Sequence, residues 1–439
     1  MKTKQTILYG ILVVLISLAF IACDNGSGPG NNPNNNNGAN AGTEGNGTDP
    51  GTGGNGNGNG GGGTTVPGNT LAAKLAWLSS NAISDTTYTL EVTADESIAQ
   101  QTLYYANKSG ITIILKGTGT ERIISFSDGG GFSVWSGVTL VLDNNITLKG
   151  SGNNPHAAIV SGVLEMRAGS KITGYSDGVF VYGTFTMNGG TITGNTGNGV
   201  FVDRGGTFTM NGGEISGNTA SGVYVYNGTF TMNGGEISGS IAGVSIFTLS
   251  TFTMNGGKIS GNGSVSGGHG VFMGGTFTMN GGEISGNTDD LVCGGVVVDG
   301  ENATFTMNNG KISGNTTRLG IGGVYVVYGT FTMNGGEISG NTATGTINGY
   351  LSCGGVGVRG TSRLPGTFRI VTGTIYGSNE GALSNTGATA AALWLNMSGT
   401  AQQSSGTAQR GTFSGEMWIS KGNLSSTNNT IRVLNGELQ

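Results

Sequence analysis

Residues that could carry out acid–base chemistry are scarce in this chain of 439 residues, which has two histidines and 24 acidic side chains. Two short segments nevertheless contain them. "GHG" at 268–270 includes His269, and "NTDD" at 287–290 includes Asp289 and Asp290. Because a histidine beside a carboxylate can transfer protons or bind polar ligands, these residues are the first candidates for a functional site.

Polysaccharide cleavage is the enzymatic alternative, since the two segments look like fragments of the pectin-hydrolase signature. In that family the Asp motifs precede the Gly-His-Gly motif and a basic motif follows it. Here His269 comes first and no matching basic segment is present. Asp289 and Asp290 are adjacent, so in an extended chain they point in opposite directions and need not form a spaced catalytic pair. We therefore predict a protein that is not an enzyme, with a polysaccharide lyase or glycoside hydrolase as the alternative.

Composition excludes other classes of partner. The histidines and the three cysteines show no metal-ligand spacing, so we predict no metal and no cofactor. The 19 basic residues form no run outside the extreme N-terminus, and the formal net charge is −5. This charge distribution excludes nucleic acid as a partner.

The N-terminus has the features of an export signal. Lys2 and Lys4 precede an apolar run within residues 1–22, and this run is shorter than the about 20 residues that a spanning helix needs. Cys23 follows "AFIA", which resembles the lipobox of bacterial lipoproteins and implies that Cys23 is lipidated. The alternative is an ordinary cleavage site beside an incidental cysteine. Residues 23–68 are rich in Gly and Asn and predict a lipid-anchored, disordered tether.

The rest of the chain is dominated by one repeated phrase, "GTFTMNGGEISGN", which occurs at 206–218, 275–287 and 329–341. Each repeat holds three short apolar pieces separated by Gly and Asn turns, as one coil of a three-sided parallel β-helix requires. Coils of such a solenoid stack about 4.8 Å apart, so each strand pairs with its copies above and below. We therefore predict an all-β parallel β-helix.

The predicted organisation has four parts after the signal. The tether is followed by an N-terminal cap at 69–105, with a short capping helix indicated by leucines at helical spacing in "NTLAAKLAWLSSNA". A β-helix of about twelve coils occupies 106–420, and a C-terminal cap occupies 421–439. We expect a monomer.

Period-two alternation assigns the faces of the coil. The Phe and Met of "TFTMN", the Ile of "EIS" and the outer two residues of "VYV" point inward. Two columns of stacked asparagines are predicted to be structural: Asn188, Asn211, Asn233, Asn255, Asn280, Asn308 and Asn334, and Asn195, Asn218, Asn262, Asn287, Asn315 and Asn341. An outward column of alternating charge is interpreted as register control: Glu236, Lys258, Glu283, Lys311 and Glu337.

These features resemble right-handed β-helix surface lipoproteins of the spirochaete kind and, more distantly, the repeats of polymorphic outer-membrane proteins. The lipobox, the tether and units such as "GTFTMNGGEISGNTASGVYVY" carry the resemblance, which covers about residues 85–420. It implies a right-handed helix and an exported lipoprotein anchored in the membrane, at the outer membrane or cell surface. Members are displayed proteins of adhesive or undefined role, so the resemblance lends no catalytic residue.

Three surfaces are candidates for binding a glycan or another host or environmental surface ligand. Outward Thr-x-Thr pairs form a grid resembling that of ice-binding solenoids, although Thr also favours the solvent face of any strand. An outward column contains aromatic residues that could stack on sugar rings or shield one another: Phe180, Phe201, Tyr224, Phe272 and Tyr325, interrupted by Ser245 and Val297.

The third surface is an edge formed by insertions. The connections from the second strand to the third are 5, 5, 4, 9, 9, 9 and 15 positions long in successive repeats. The long connections all enter at one corner, and we expect them to bring together His269, Asp289, Asp290, Arg318 and Tyr350. Neutral drift of loop length is the alternative. Cys293 and Cys353 should lie two coils apart with Ile321 between them, too far apart for a disulfide.

Overall fold

The computed structural model describes residues 66–264, 267–345, 352–359, 366–387, 393–396, 431–434 and 437–438. They belong to one compact unit, Gly63–Gln439. The predicted signal peptide, Cys23 and the tether up to residue 65 lie outside the described residues.

A short helix, α1 (Leu71–Asn81), precedes the strands and confirms the predicted capping helix. It begins at Thr70, whose Oγ1 accepts the N–H of Ala73 at 3.1 Å and so satisfies one of the unpaired amides of the first turn. Leu71, Leu75 and Leu78 are buried and join the main hydrophobic core. The helix thus covers apolar side chains at the N-terminal end of the solenoid.

Parallel strands then wind into three walls, which confirms the predicted three-sided parallel β-helix. The first wall contains the "TFTM" strands: Thr87–Val92, Ile111–Gly117, Val138–Leu142, Val163–Met166, Thr184–Met187, Thr207–Met210, Thr229–Met232, Thr251–Met254, Thr276–Met279, Thr304–Met307, Gly329–Met333 and Gly366–Ile370. Neighbours in this order are hydrogen-bonded, so each coil pairs with the next one along the chain.

The second wall contains the "EIS" strands: Glu96–Ile98, Arg122–Phe126, Ile146–Lys149, Lys171–Thr173, Thr191–Thr193, Glu214–Ser216, Glu236–Ser238, Lys258–Ser260, Glu283–Ser285, Lys311–Ser313, Glu337–Ser339 and Gly373–Ile375. Two antiparallel strands, Ile431–Leu434 and Glu437–Leu438, extend this wall at its C-terminal end. They are the described part of the predicted C-terminal cap.

The third wall contains the "VxV" strands: Gln101–Leu103, Phe132–Val134, His156–Val160, Asp177–Val181, Val200–Asp203, Ser221–Tyr226, Ala242–Ile246, His269–Met273, Val296–Val298, Val324–Val326, Val356–Arg359 and Leu393–Asn396. A fourth sheet of two-residue strands, the corner sheet, joins the second and third walls: Gly263–Ser264, Thr288–Asp289, Thr316–Thr317, Thr342–Ala343 and Thr386–Gly387. A 3₁₀ turn, Gly381–Leu383, precedes the last of these strands.

The core consists of identical residues stacked coil upon coil. The inward phenylalanines from Phe185 to Phe368 stack with ring centroids 4.6–5.0 Å apart. The methionine two positions after each repeat phenylalanine from Phe185 to Phe331 is fully buried, as are the "EIS" isoleucines. The predicted inward faces are therefore confirmed.

The "NGG" turn follows from this packing. Gly282 has φ +84°, and a Cβ there would lie 2.6 Å from the Cε of Met254 in the preceding coil. The second glycine of the turn therefore provides both a left-handed backbone and room for the methionine below. Gly281, the first glycine, has no such backbone requirement, and Asn309 occupies its position in the next coil.

Both predicted asparagine columns form hydrogen-bonded ladders, and in the buried one Ser240 takes the place of an asparagine between Asn218 and Asn262. In the exposed ladder each Nδ2 donates to the Oδ1 of the preceding coil, as Asn280 does to Asn255 at 2.9 Å. In the buried ladder the direction is reversed, and the backbone N–H and the Nδ2 of Asn287 both donate to Asn315 Oδ1, at 3.0 and 2.9 Å. Asn385 extends the buried ladder by one coil beyond the predicted members.

The structure differs from the predicted boundary of the N-terminal cap. Residues 87–103, which the sequence assigned to the cap, already contribute one strand to each wall and form the first coil. This coil lacks the "TFTMN" phrase and uses Tyr88, Leu90 and Val92 as its inward residues. Alignment of the repeated phrase does not detect this coil, because the coil keeps the alternation of inward apolar side chains but not the amino acids of the phrase.

Candidate functional site

The insertion edge comprises the long connections between the second and third walls in the C-terminal coils. Each connection contributes one strand to the corner sheet, with Ser264 paired to Asp289 and Asp289 to Thr317. The buried asparagine ladder continues through these coils, where Asn262, Asn287 and Asn315 precede the corner strands. The insertions are therefore a stacked extension of the solenoid, in the place that the loop lengths predicted.

His269 and Asp289 form the inner pair of this edge. The Nδ1 of His269 lies 3.3 Å from Asp289 Oδ2, and the Asp289 side chain is fully buried. Asp289 also accepts the backbone N–H groups of Leu291, Val292 and Cys293 at 2.8, 3.1 and 2.9 Å. Asp289 thereby holds the first turn of its own insertion closed.

These contacts determine the charge of Asp289. Burial by itself would raise the pKa of the Asp289 carboxyl. The hydrogen bond and charge of His269, together with the amides of Leu291 and Cys293, outweigh burial and lower this pKa below its ordinary value. Asp289 is therefore a buried, stably ionised carboxylate.

The same geometry fixes the tautomer of His269. Its Nδ1 lies 2.9 Å from the carbonyl oxygen of Cys293 as well as beside Asp289. Because both neighbours can only accept hydrogen bonds, Nδ1 carries the proton. In the neutral form of the ring, Nε2 keeps its lone pair, so His269 can then accept a proton or a hydrogen bond at this nitrogen.

Asp290 and Arg318 form an outer pair on the same edge. Arg318 Nε lies 3.5 Å from Asp290 Oδ2, and both side chains are substantially exposed. The edge thus combines two pairs whose carboxylates are consecutive residues: a buried Asp289 with the partly buried His269, and an exposed Asp290 with the exposed Arg318. Four of the five predicted residues are brought together in this way, and Tyr350 lies outside the described residues.

The insertions also cover part of the third wall. Cys293, Ile321 and Cys353 stack through isolated bridges between successive coils, and both cysteines are free and buried, as predicted. Burial raises the pKa of the Cys353 thiol to about 12. These side chains form a second hydrophobic cluster with Val297, which is only 1% exposed although its strand alternation points it outward.

The outward aromatic column of the third wall is continuous in its N-terminal half. Phe180, Phe201 and Tyr224 stack with centroids 4.5 and 4.7 Å apart. Phe247, which the sequence analysis missed, bridges the gap at Ser245 by lying 4.9 Å from Tyr224 and 5.8 Å from Phe272. Since stacked rings cover one another's faces, this column presents mainly ring edges to solvent, in agreement with the shielding alternative.

An open groove of about 650 Å³ follows the corner between the first and second walls. Turn glycines and the charge column line it: Lys258, Glu283, Lys311 and Glu337. The predicted register is confirmed because these residues are paired in successive coils, and Lys311 Nζ lies 3.3 Å from Glu337 Oε1. Alternating signs cancel along the groove, so it offers no net charge to a ligand.

Within the described ranges, no group of three or more His, Cys, Asp or Glu side chains is placed to hold a metal ion. No helix in that part of the chain is long and apolar enough to cross a membrane.

Comparison with known proteins agrees with this geometry. The family model of a right handed beta helix region matches residues 177–343. The fold is a right-handed parallel β-helix. No match was found among curated proteins or among solved structures. The matched range contains the insertion edge as far as the fourth strand of the corner sheet, Thr342–Ala343.

Proposed function

We propose that the protein is a lipid-anchored cell-surface protein that displays its β-helix as a rigid, non-catalytic binding module of the adhesin-like kind. The main support for this proposal is that side chains departing from the repeated sequence are concentrated at one place. The first two walls repeat nearly identical strands, whereas the insertion edge gathers His269, Asp289, Asp290 and Arg318 into two neighbouring pairs. Stacked insertions on a uniform solenoid are a usual form of recognition surface.

Anchoring is supported by the N-terminal sequence. An apolar signal, a lipobox-like "AFIA" before Cys23 and a Gly/Asn-rich tether follow one another in the order that a displayed lipoprotein requires. Metabolic labelling with a fatty acid should mark the wild-type chain and not Cys23→Ala, and this variant should leave the membrane fraction. Unchanged fractionation of Cys23→Ala would refute the anchor.

A glycan array probed with the purified protein tests binding. We expect Asp290→Ala and Arg318→Ala to weaken the interaction with any glycan that this edge recognises. The matched control is Arg204→Ala, because the exposed Arg204 lies 3.7 Å from the partly buried Asp203 on a different corner of the coil. A binding signal that is lost only in the Arg204 variant would place the site elsewhere, and the absence of any bound ligand would leave a purely structural module.

Polysaccharide cleavage is the second candidate, favoured by one observation. Asp289 and the Cys293 carbonyl orient His269 through Nδ1, which leaves the base lone pair of the neutral ring on Nε2. A reducing-sugar assay and a lyase assay with acidic and neutral polysaccharides test this function. Cleavage that disappears in His269→Ala, with an unchanged unfolding midpoint, would replace the non-catalytic proposal.

The third candidate function is binding of ice or crystalline polysaccharide by the grid of outward threonines. The register of the first wall favours it. Seven outward threonine pairs stack in successive coils: Thr184/Thr186, Thr207/Thr209, Thr229/Thr231, Thr251/Thr253, Thr276/Thr278, Thr304/Thr306 and Thr330/Thr332. Inhibition of ice recrystallisation or sedimentation with insoluble polysaccharide would support it. A Thr278→Lys variant that acts as well as the wild type would argue against it.

A further inference from the structure

Exposed apolar side chains of the described residues lie mainly on two corners of the coil. Three of the eight large ones, Ile241, Leu291 and Leu383, lie between the second and third walls. Of the other five, Tyr104, Trp135 and Leu249 lie between the third wall and the next coil's first wall, Tyr226 ends a third-wall strand, and Ile83 lies between α1 and the first strand. Among these, Tyr104 and Trp135 come from adjacent coils and touch each other, with centroids 5.5 Å apart and planes at 61°.

These two rings differ from the stacked column of the same wall. The edge-to-face contact leaves Trp135 50% exposed and Tyr104 57% exposed. Phe201, in contrast, has a ring stacked on each side and is only partly exposed. An exposed aromatic face is what a sugar ring requires for stacking through its C–H groups. The sugar-stacking idea therefore fits Tyr104 and Trp135 better than the column to which the sequence analysis assigned it.

The side chains that share a face with the two rings are polar and uncharged. Gln100, Thr102 and Ser133 lie at alternate positions before Tyr104 and Trp135, so they face the same side of the wall. Gln100 Nε2 lies 3.5 Å from Ser133 Oγ. Residues 100–107 and 129–137 contain no charged side chain, and the flanking charges are already engaged, since Asp128 accepts the backbone N–H of Gln100 at 2.9 Å and Lys108 donates to the Ala82 carbonyl. Amide and hydroxyl groups beside aromatic faces match a hydroxyl-rich neutral ligand.

The size of the patch argues against a protein or a membrane as its occupant. Two half-exposed rings offer on the order of 100 Å² each, whereas a stable protein interface buries about 800 Å² per partner. Tyr226, the next exposed ring on this corner, lies four coils away, about 19 Å at the spacing of stacked strands. The same stretches lack the basic residues that would attract an anionic bilayer.

We propose that Tyr104 and Trp135 form a stacking platform for one sugar ring of a neutral glycan, with Gln100, Thr102 and Ser133 as hydrogen-bonding neighbours. This inference rests on the proposed binding function and places a second contact site away from the insertion edge. A linear glycan lying parallel to the solenoid axis could extend from this platform along the corner.

The test is a neutral-glycan array with the full-length protein, followed by affinity measurements on the strongest binder. We expect Trp135→Ser to reduce affinity at least tenfold and Trp135→Phe to stay within about threefold of the wild type, because a ring face is kept. Serine should be compatible with the fold at this position, because Ser161 occupies the equivalent position after the third-wall strand of the next coil. Tyr226→Ala is the matched control, because it removes an exposed ring on the same corner.

Further outcomes keep the platform falsifiable. Tyr104→Ala should also weaken binding, so the test does not depend on the folding of one variant. Neutral-glycan binding that survives both Trp135→Ser and Tyr104→Ala would overturn the platform while leaving the proposed binding function intact. If the wild-type protein binds no neutral glycan, the platform is overturned. If the wild-type protein binds no glycan of any kind, the proposed binding function also loses its support from glycan binding. Binding to neutral phosphatidylcholine vesicles, lost in Trp135→Ser without any glycan binding, would assign the rings to a membrane instead.

Discussion

The two asparagine ladders allow the energetic effect of burial to be measured with a single residue type. Asn287 is fully buried, and its Oδ1 accepts both the backbone N–H and the Nδ2 of Asn262, each at 3.0 Å. Its Nδ2 donates to Asn315 Oδ1 at 2.9 Å and to the Ile259 carbonyl at 3.0 Å. Asn287→Ala leaves the backbone N–H of Asn262 and the Ile259 carbonyl without these partners, whereas the Nδ2 of Asn262 keeps the carbonyls of Ile237 and Ser260. At about 1–3 kcal/mol for each of these two buried groups, we expect a loss of roughly 2 kcal/mol or more in the free energy of unfolding.

Asn280→Ala, in the same coil, is the matched control. Asn280 also makes two side-chain amide bonds, to Asn255 at 2.9 Å and from Asn308 at 2.8 Å, but its ladder is exposed. Water can replace these bonds, so we expect a loss below about 1 kcal/mol. Urea unfolding of the purified protein, followed by far-ultraviolet circular dichroism, measures both variants. Equal losses at the two positions would refute the argument that burial decides the contribution of a ladder.

Three further outcomes follow from the turn, the thiols and the buried carboxylate. Gly282→Ala should lower the unfolding midpoint more than Gly281→Asn, because an added Cβ would be crowded at both positions, by Met254 Cε at 2.6 Å and by the Asn255 carbonyl oxygen at 2.7 Å, but only Gly282 also has a positive φ. Cys293 and Cys353 should resist alkylation at pH 8 until urea unfolds the chain, because both are buried and burial raises the pKa of each thiol; fast labelling of the native protein would contradict their placement. The pKa of Asp289 is lower in the folded state than in the unfolded state. Its contribution to stability is therefore complete above the unfolded pKa of about 3.9 and is lost as pH falls through the folded pKa. A pH titration of the unfolding midpoint should accordingly show a weaker acid dependence in Asp289→Asn than in the wild type.

Repetition explains how much of this structure could be predicted. Aligning the phrase places equivalent residues one coil apart, so the stacking of Phe277 on Phe252 and the pairing of Lys311 with Glu337 follow from the sequence. The meeting of His269 and Asp289 could also be anticipated, because both lie in insertions at one corner. These predictions needed only the period of the coil and the direction of its strands.

The features that could not be predicted depend on how segments outside the repeat fold back onto the walls. Alternation points Val297 outward, but the insertion that contains Cys293 covers it, and loop length alone does not reveal such a cover. Phe247 lies two residues beyond the position that the aromatic column assigned to Ser245, and its ring leans into the gap. Side-chain direction in a turn is set by packing, which a period cannot supply. Tyr104 and Trp135 were missed for a related reason, because their coils lack the repeated phrase.

The insertion in the coil of residues 287–298 should be a structural cover as well as a candidate binding edge. Shortening its nine-position connection to the five positions of the early coils would remove Cys293 and expose Val297 together with Tyr325. The shortened chain should therefore lose stability. A loss of ligand binding on trimming would then report damage to the fold as well as loss of a contact, which makes the point substitutions Asp290→Ala and Arg318→Ala the sharper binding test.

The early coils indicate how the shortened chain can be repaired. They leave the third wall uncovered and protect it with stacked outward rings such as Phe201 and Tyr224. Val297 is paired in register with Phe272 on one side and Tyr325 on the other. Adding Val297→Tyr to the shortened chain should create two cross-strand aromatic contacts, for a gain of roughly 0.5–2 kcal/mol. Val297→Ser, which copies Ser245, is the control, and unfolding midpoints compare the two. If the Ser variant of the shortened chain is as stable as the Tyr variant, the outward aromatic column does not protect the wall, and the cover by the insertion must have another role.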